Sequence, residues 1–216
     1  MGRKAALITG AARRIGRAIA THLAGEGWDI AIHFNTSRGD ALSLEQEVTH
    51  KGAACRLYAA DLNEQDAATQ LVEQCVADFP HACLLVNSAS VFKRDTIATL
   101  SPSLWDEHLR INALAPILLT RAFHRLSAAQ NCVINMLDQK VANATPDFFS
   151  YTISKLALHN ATRMLAMSLW PKTRVNGIAP GIVLLADTPS ITGQVITIDG
   201  GRHLLNKFPF EDLPKE

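Results

Sequence analysis

Short apolar segments alternate with longer segments of helical periodicity along this chain, and this alternation constrains the fold more than any other feature. The apolar segments predict strands at residues 5–9, 29–34, 54–58, 84–86, 132–135, 173–178 and 195–198. The segments between them predict helices over residues 14–25, 40–51, 64–79, 103–126 and 149–169, the fourth with a kink at Pro116. Strands separated by helices form parallel sheets that are covered on both faces. We therefore predict an α/β fold, a doubly wound parallel sheet, in a single domain spanning residues 1–216.

Composition and charge exclude several classes of function. The 216 residues, 48% of them hydrophobic, suffice for one domain with a sizeable core. Lys and Arg number 21 against 20 Asp and Glu, so no basic surplus indicates a nucleic-acid partner. The sequence shows no apolar run long enough for a bilayer, no signal-peptide pattern and no metal-ligand spacing of its histidines. Four widely separated cysteines predict reduced thiols and hence the cytoplasm: Cys55, Cys75, Cys83 and Cys132.

A tyrosine and a lysine four positions apart are the main sign of chemistry. Tyr151 and Lys155 fall in the helix predicted over 149–169, where positions i and i+4 share one face. Near a protein surface, a charge about 4 Å away is worth about 4 kcal/mol, or about three pKa units. Lys155 is therefore expected to lower the pKa of Tyr151 towards neutrality, where a phenol can exchange protons. The spacing alone also occurs in ordinary surface helices, but Asp138 lies only a short way upstream.

The turn between the first strand and the first helix has features of a dinucleotide site. It reads Thr-Gly-Ala-Ala-Arg-Arg-Ile-Gly over residues 9–16, where Gly10 allows a tight turn and Gly16 allows close packing of helix on sheet. In α/β folds, the pyrophosphate of a dinucleotide meets the helix N-terminal amides at this point. Because an arginine stands where a GxGxxG pattern would have its middle glycine, an ordinary strand-to-helix turn is the alternative.

The end of the second strand favours NADP(H) over NAD(H). Folds that prefer NAD place a carboxylate there for the ribose 2′-hydroxyl, but residues 33–37 read His-Phe-Asn-Thr-Ser and no acid occurs before Asp40. Small polar groups with Arg13 and Arg38 would instead receive a 2′-phosphate. Two further segments, 61–62 and 87–90, follow strands at the edge where open α/β sheets bind ligands.

Together these segments resemble the short-chain dehydrogenase/reductase family. The matching motifs are TGxxxRxG at 9–16, Asp-Leu at 61–62, Asn-Ser-Ala at 87–89, Asn112, Tyr151 with Lys155, Pro-Gly at 180–181 and Asp-Gly-Gly at 199–201. The resemblance implies a Rossmann-like fold, hydride transfer with a nicotinamide, and catalytic roles for Tyr151, Lys155 and Asn112, the last holding a water that relays protons to the lysine. The cofactor site that it implies, for NADP(H), comprises Gly10, Arg13, Arg14, Ile15, Gly16, His33, Phe34, Asn35, Thr36, Ser37, Asp61, Leu62, Asn87, Ser88, Ala89, Ser90, Tyr151, Lys155, Pro180, Gly181 and Val183.

An aspartate, Asp138, stands where most members of this family carry the catalytic serine. This departure resembles the pteridine reductase branch, whose aspartate and tyrosine protonate a pterin nitrogen. The implied substrate site is Arg14, Ser90, Phe92, Asp138 and Tyr151, with Phe92 stacked on the pterin. Since an ionised Asp138 would raise the pKa of Tyr151, the set is consistent if Asp138 holds a proton in the working state. The alternative is that Asp138 only caps the following helix.

The connection before the last predicted strand is short. Parallel strands need a dozen or more connecting residues, usually with a helix, whereas residues 179–194 contain two prolines and no helical periodicity. Members of the family carry a helical substrate lid there. We expect either that the last two strands are not joined as predicted, or that the lid is missing between about 182 and 189, through a break in the chain or a real deletion.

Three functions remain open at this point. The resemblance favours an NADPH-dependent reductase of a pterin, from dihydropterin to tetrahydropterin, with dihydrofolate as a further substrate. The alternatives are a carbonyl or 3-oxoacyl reductase of the same family and a non-catalytic NADP(H)-binding protein. The family's usual four-helix interface, from the helices matching 103–126 and 149–169, implies a homotetramer. No metal, nucleic-acid or membrane partner is expected.

Overall fold

The computed structural model describes residues 3–127, 130–141, 144–179 and 195–197. The described part contains seven strands: β1 (Ala5–Thr9), β2 (Asp29–Phe34), β3 (Cys55–Ala59), β4 (Ala82–Asn87), β5 (Asn131–Met136), β6 (Thr173–Ala179) and β7 (Val195–Thr197). The same ranges hold six α-helices: α1 (Arg14–Gly25), α2 (Arg38–His50), α3 (Ala67–Asp78), α4 (Pro102–Leu109), α5 (Ala115–Leu126) and α6 (Phe149–Leu169). A π-helical turn, Arg110–Leu114, joins α4 to α5, and a 3₁₀ turn, Gln139–Val141, follows β5.

The strands form one parallel sheet in the order β3-β2-β1-β4-β5-β6-β7. The chain starts near the middle at β1, moves outward through β2 to β3, and then returns to place β4 on the other side of β1. Leu7 of β1 accordingly lies between Ala31 of β2 and Leu85 of β4. The prediction of a doubly wound parallel sheet is confirmed. The reversal of strand order between β1 and β4 leaves a crevice at the carboxyl ends of these strands, where such folds bind ligands.

Each face of the sheet has its own hydrophobic core, because successive strand residues point to opposite faces. On one face, Ile8 and Ile32 pack with α1 and α2. On the other face, Leu7 and Leu85 pack with α3, α5 and α6. β1 and β2 are buried along their whole length, which explains why these strands read as continuous apolar runs.

The sequence predicts one helix over 103–126 with a kink at Pro116, and the structure differs. The helix changes at the π-helical turn that contains Asn112, and Pro116 lies in the first turn of α5. The helix runs on into α5, because the N–H of Ala115 donates to the carbonyl of Arg110. Pro116 has no N–H for the carbonyl four residues earlier, that of Asn112, and the hydrogen bonding directly before it is π-helical. The irregularity therefore lies at Asn112, and π-turns of this kind occur frequently at functional sites.

The last strand lies where the sequence predicts it. β7 pairs in parallel with β6, with Val195 opposite Gly177. The expected break or deletion between about 182 and 189 lies outside the described residues, as do Pro180, Gly181 and Val183. No helix among the described residues is long and apolar enough to span a membrane.

The four cysteines are free thiols. Cys75 and Cys132 are buried, whereas Cys55 and Cys83 are half-buried. Burial raises the pKa of both Cys55 and Cys75 to about 12, so these thiols stay protonated at neutral pH. Within the described ranges, no three His, Cys, Asp or Glu side chains come together as a candidate metal site.

Candidate active site

A cavity of about 710 Å³ opens at the carboxyl ends of β1, β4 and β5, within the range of about 300–1,000 Å³ that small-molecule sites occupy. It is lined by Gly10, Arg13, Arg14, Ile15, Gly16, Ser88, Ala89, Ser90, Phe92, Met136, Leu137, Asp138, Gln139, Tyr151 and Lys155. All but Met136, Leu137 and Gln139 are residues that the sequence predicts for the site. These three follow the rule that ligands bind beyond the carboxyl ends of strands, because they end or follow β5.

The β1–α1 turn is shaped for close backbone approach. Gly10 has φ +63°, and a Cβ placed on it would lie 2.8 Å from the Cα of Ala89. A Cβ on Gly16 would collide with the carbonyl oxygen of Gly10. Arg14, the first residue of α1, also has a positive φ of 50°, an uncommon conformation for a side-chain-bearing residue. The two glycines thus let the turn pack closely on itself and on the end of β4, and both line the cavity at the start of α1; this turn, called the glycine cradle below, suits a pyrophosphate.

His33 supports this turn from behind. Its Nδ1 accepts a hydrogen bond of 3.2 Å from the backbone N–H of Gly10, and its Nε2 lies 3.0 Å from the carbonyl oxygen of Ala60. The neutral ring with its proton on Nε2 satisfies both contacts. His33 and Phe34, which the sequence predicts as cofactor contacts, are buried and do not line the cavity, and Leu62 belongs to the core. The sequence could not reveal this, since an apolar strand end and a strand end facing a ligand have the same local pattern.

The remaining segments predicted for the cofactor also lie outside the cavity wall. Asn35 and Thr36 are exposed, and Ser37 is half-buried at the start of α2. Asp61 accepts a hydrogen bond of 2.9 Å from the backbone N–H of Asn63. Their predicted role at the adenosine end of a dinucleotide therefore stays a prediction.

The burial of His33 predicts a loss of stability in acid. Burial lowers the pKa of His33 from 6.5 to about 4, against the opposing effects of the Ala60 carbonyl and the Asp61 charge. The unfolded chain therefore takes up this proton as the pH falls below about 6.5, whereas the folded chain resists until about 4. We therefore expect His33 to lower the free energy of unfolding by about 3 kcal/mol as the pH falls through this window. Urea unfolding from pH 7 to pH 4 measures it.

His33→Asn should flatten that part of the profile, because no ring remains to titrate. His50→Asn, at an exposed position at the end of α2, is the control and should leave the profile unchanged. Parallel profiles for the wild type and His33→Asn would contradict the prediction.

Arg13 lines the cavity, but its guanidinium Nε donates to the carboxylate of Asp40 at 2.6 Å. Both side chains are substantially exposed, so the pair contributes little to stability. The sequence does not assign Asp40 to the site because it lies beyond the end of β2, in the first turn of α2. A 2′-phosphate that binds Arg13 would compete with this carboxylate.

The structure brings Asp138 and Tyr151 together. The phenol of Tyr151 donates to Oδ2 of Asp138 at 2.8 Å. The other carboxylate oxygen, Oδ1, accepts from the backbone N–H of Lys140 at 2.9 Å, at the 3₁₀ turn. One oxygen thus faces the tyrosine while the other caps the following turn, so the predicted capping contact is present and the catalytic role of Asp138 stays a prediction.

The expectation that Lys155 lowers the pKa of Tyr151 is wrong. Burial raises the pKa of Tyr151, and the charge of Asp138 and its hydrogen bond raise it further, against a smaller effect of the Ser90 hydroxyl. The ammonium of Lys155 instead donates to the carbonyl oxygen of Met136 at 2.8 Å and lies 5.8 Å from the centroid of the Tyr151 ring. Burial lowers the pKa of Lys155 itself to about 8, and Asp138 opposes this. At neutral pH the phenol therefore holds its proton.

Phe92 presents an aromatic surface to the cavity and is 52% exposed. Its ring stacks on that of Phe148, with centroids 4.3 Å apart and planes at 8°, and meets the Tyr151 ring edge-on at 4.6 Å. Phe148 has φ +59° and precedes α6 directly. The sequence does not single out Phe148, although it lies one helical turn before Tyr151. The stacking role of Phe92 stays a prediction.

Asn112 lies in the π-helical turn and is completely buried. Its Oδ1 accepts from the Val91 N–H at 2.8 Å and from the Ser90 hydroxyl at 3.1 Å, while Nδ2 donates to the Val91 carbonyl at 2.9 Å and to Ser154 at 3.1 Å. The amide is thus fully engaged in holding the segment after β4. A water relay through Asn112 stays a prediction and would have to use its backbone.

Asn87, which the sequence assigns to the cofactor site, is buried at the end of β4. Its Nδ2 donates to Oδ1 of Asn135 at 2.8 Å, and its own Oδ1 has no partner among the described residues. The next two backbone N–H groups, of Ser88 and Ala89, both donate to the Thr9 hydroxyl at 3.0 Å. These bonds tie the end of β4 to the end of β1 at the cavity wall.

Solved structures similar to this chain contain a nicotinamide dinucleotide. FolM Alternative dihydrofolate reductase 1 from Brucella suis, in complex with NADP, has a TM-score of 0.88 and 34% sequence identity, covering 96% of this chain and 98% of that one. The protein of the same description from Brucella canis, complexed with NADP, has the same TM-score and identity and covers 96% and 97%.

Curated sequences and a family model agree with this likeness at the level of the family. The 3-oxoacyl-(acyl-carrier-protein) reductase FabG from Staphylococcus epidermidis is 27% identical over 195 residues, which are 89% of this chain and 80% of that protein. The family model described as short chain dehydrogenase matches residues 4–192. Because the model matches well over half of the sequence, this chain belongs to the short chain dehydrogenase family.

Proposed function

We propose that this protein is an NADPH-dependent reductase of a pterin, which converts a dihydropterin to a tetrahydropterin and also accepts dihydrofolate. The observation that carries the proposal is the 2.8 Å contact between Asp138 and Tyr151 in the cavity wall. A ring nitrogen has to gain a proton as hydride arrives at the neighbouring carbon, and a carboxyl paired with a phenol can supply it. The two FolM structures that share 34% identity with this chain support this substrate class.

The residues of the cavity fit NADP(H). The cradle at Gly10 and Gly16 would receive the pyrophosphate, Arg13 the 2′-phosphate, and Lys155 with Tyr151 the nicotinamide ribose. When bound, the reduced nicotinamide supplies a hydride. Both FolM structures are complexes with NADP, which supports this choice of dinucleotide.

Tyr151 acts as the proton donor in this proposal. Its raised pKa keeps the phenol protonated at neutral pH. When Asp138 carries a proton, the 2.8 Å hydrogen bond runs from the carboxyl to the phenol oxygen, and the phenol O–H is free to donate to a substrate nitrogen. The proton that leaves Tyr151 is then replaced from Asp138. Since Asp138 is half-buried and lines the cavity, it regains its proton from solvent.

The aromatic wall of the cavity favours a flat substrate. Phe92, backed by Phe148, offers a partly exposed ring face in the cavity, and stacking on such a face is worth about 0.5–1.5 kcal/mol beyond area burial. Ser90 and Arg14 line the same cavity and provide polar groups for the edge of a heterocycle.

A 3-oxoacyl reductase is the second candidate function. Its support is the likeness to the FabG protein, at 27% identity over 89% of this chain. A carbonyl oxygen needs one proton donor, which Tyr151 alone could provide, and the paired carboxyl would then have no evident task. A non-catalytic NADP(H)-binding protein is the third candidate.

A substrate panel with NADPH and NADH separates these functions. Loss of NADPH absorbance is measured with dihydrobiopterin, dihydromonapterin, biopterin, dihydrofolate and acetoacetyl-coenzyme A. We expect turnover of the dihydropterins and dihydrofolate, and a preference for NADPH. Turnover of the acyl substrate alone would favour the second function. Tight NADPH binding without any turnover would favour the third.

We further propose that the protein is a cytoplasmic homotetramer in which α5 and α6 meet their counterparts. These helices and the residue after α6 expose large apolar side chains, including Met164 at 63%, Met167 at 76% and Trp170 at 55%. We expect Met164→Lys/Met167→Lys to lower the mass measured by light scattering from that of a tetramer towards that of a dimer or monomer. Ile97→Lys, at an exposed apolar position before α4, is the control and should keep the wild-type mass. A monomeric wild type would contradict the proposal.

A further inference from the structure

Three fully buried polar side chains lie beside the cavity without lining it. Asp95, His108 and Ser150 have 1%, 0% and 0% of their surface exposed. They connect the segment after β4, which carries Phe92, to the first turn of α6, which carries Tyr151. Buried polar groups are costly unless they are hydrogen-bonded, so the bonds among these residues are the first thing to establish.

Asp95 caps α6 from a distant part of the sequence. Its backbone carbonyl accepts from the N–H groups of Phe148 at 2.8 Å and Phe149 at 3.3 Å. Both oxygens of its carboxylate lie 3.2 Å from the N–H of Ser150. Phe148, the residue at the cap position, provides no side-chain cap of its own. Asp95 therefore satisfies first-turn donors that a helix otherwise leaves unpaired, and its negative charge suits a helix N-terminus.

The hydrogen bonds of this cluster determine which atom carries each proton. The Ser150 hydroxyl donates its single proton to Oδ2 of Asp95. The 2.6 Å contact between Ser150 Oγ and His108 Nδ1 must then be donated by the histidine. His108 Nε2 faces the backbone N–H of Lys93 at 3.3 Å and accepts from it. His108 is thus neutral with its proton on Nδ1, which agrees with the lowering of its pKa by burial.

We propose that Ser150, together with Asp95 and His108, positions Phe92 and Tyr151 relative to each other and so determines how well the substrate fits. Ser150 immediately precedes Tyr151. His108 accepts a hydrogen bond from the N–H of Lys93, the residue after Phe92. The two rings that the cluster aligns have centroids 4.6 Å apart. The cofactor side, at Gly10 and Gly16, has no contact with the cluster among the hydrogen bonds described. These are positioning residues, and the inference rests on the proposed function only for the identity of the substrate.

Ser150→Ala tests the proposal through kinetics and binding. We expect kcat/KM for the best substrate of the panel to fall about 10–100-fold, because a misplacement of about 1 Å can cost about a hundredfold. NADPH affinity should fall much less than kcat/KM, because Lys155 and the turn at Gly10 and Gly16 keep their proposed cofactor contacts. Ser168→Ala is the matched control, since Ser168 lies in the same helix and its hydroxyl bonds to the carbonyl of Met164 at 2.8 Å. Equal losses for NADPH and substrate, or unchanged kinetics well below the melting temperature, would overturn the proposal.

Two substitutions at His108 test whether its hydrogen bond to Ser150 is what matters. His108→Asn keeps an N–H that can donate to Ser150, whereas His108→Leu removes it at similar volume. We expect His108→Asn to recover most of the wild-type KM, with His108→Leu resembling Ser150→Ala. If both variants behave alike, the hydrogen bond has no positioning role.

A measurement without turnover keeps this proposal separate from the proposed function. In the NADPH-bound protein, long-range proton–nitrogen NMR spectra report the tautomer of His108, and cross-relaxation reports the proximity of the Phe92 and Tyr151 rings. We expect the Nδ1–H tautomer and a clear ring–ring signal in the wild type, and a weakened signal in Ser150→Ala. An undiminished ring–ring signal in a folded Ser150→Ala protein would refute the proposal, whatever the substrate panel shows.

Discussion

Replacing Tyr151 by phenylalanine is expected to lower kcat for pterin reduction by about 10²–10⁴-fold, the usual contribution of a positioned acid. The change removes the one hydroxyl that meets Asp138 in the cavity and leaves the ring and its edge-on contact with Phe92 in place. NADPH binding should persist with a smaller loss, because only one proposed ribose contact is removed while Lys155 and the glycine cradle keep theirs. Steady-state kinetics and a fluorescence titration of NADPH measure the two effects separately.

The other tyrosine of the chain, Tyr58, provides a matched control. Tyr58 also donates its phenol proton to a carboxylate, that of Asp78 at 2.7 Å, and its pKa is also raised, chiefly by burial. It belongs to the core cluster with α3 and does not line the cavity. Tyr58→Phe should lower the free energy of unfolding by about 1 kcal/mol and leave kcat unchanged. If Tyr151→Phe kept more than about a tenth of wild-type kcat, Tyr151 would not be the main proton donor.

Gly16→Ala is expected to have the largest effect on cofactor binding and stability together. The added Cβ meets the carbonyl oxygen of Gly10, with Ala11 Cα only 2.9 Å away, and backbone atoms cannot move aside as a flexible side chain can. Overpacking of this kind typically costs about 1–3 kcal/mol. The turn has to shift, so NADPH affinity should also fall at least about tenfold, or about 1.4 kcal/mol. Thermal unfolding and a cofactor titration measure both losses.

Gly25→Ala makes the same chemical change in the same helix. Nothing lies within 4 Å of a Cβ at Gly25, so the substitution should be neutral or should stabilise the protein by about 0.4–1 kcal/mol. A comparable loss of NADPH affinity in both variants would show that the collision at Gly16 is not the cause.

The sheet and most of the cavity wall could be predicted from sequence because their signals are local. Strand and helix periodicity located β1 and α6, and parallel strands bring their carboxyl ends to one edge of the sheet. The glycines of the first turn and the Tyr151–Asp138 pair followed from motif positions. Patterns of this kind can be recognised without knowledge of distant partners, because a window of about 11–18 residues is enough to show them.

The remaining features depend on contacts between distant residues. Lys155 was expected to act on the phenol, but the carbonyl of Met136 holds its ammonium. The π-helical turn between α4 and α5 contains Asn112, whose buried amide holds the segment after β4, whereas the sequence shows only the proline that follows it. Asp95 caps α6 through the N–H of Ser150, which lies 55 residues later in the chain. No local periodicity encodes such pairings, so only the folded chain reveals them.

The two oxygens of Asp138 have different hydrogen-bond partners, and this limits which side chains can replace it. Oδ1 accepts from the backbone of the 3₁₀ turn and Oδ2 accepts from the phenol, so each oxygen has its own partner. A serine has a single oxygen on a shorter side chain, so the Lys140 N–H and the phenol would have to share one atom. Asp138→Ser would thus weaken either the hydrogen bond to the turn beyond β5 or the one to Tyr151, and in the proposed mechanism the second loss would interrupt proton supply to the phenol.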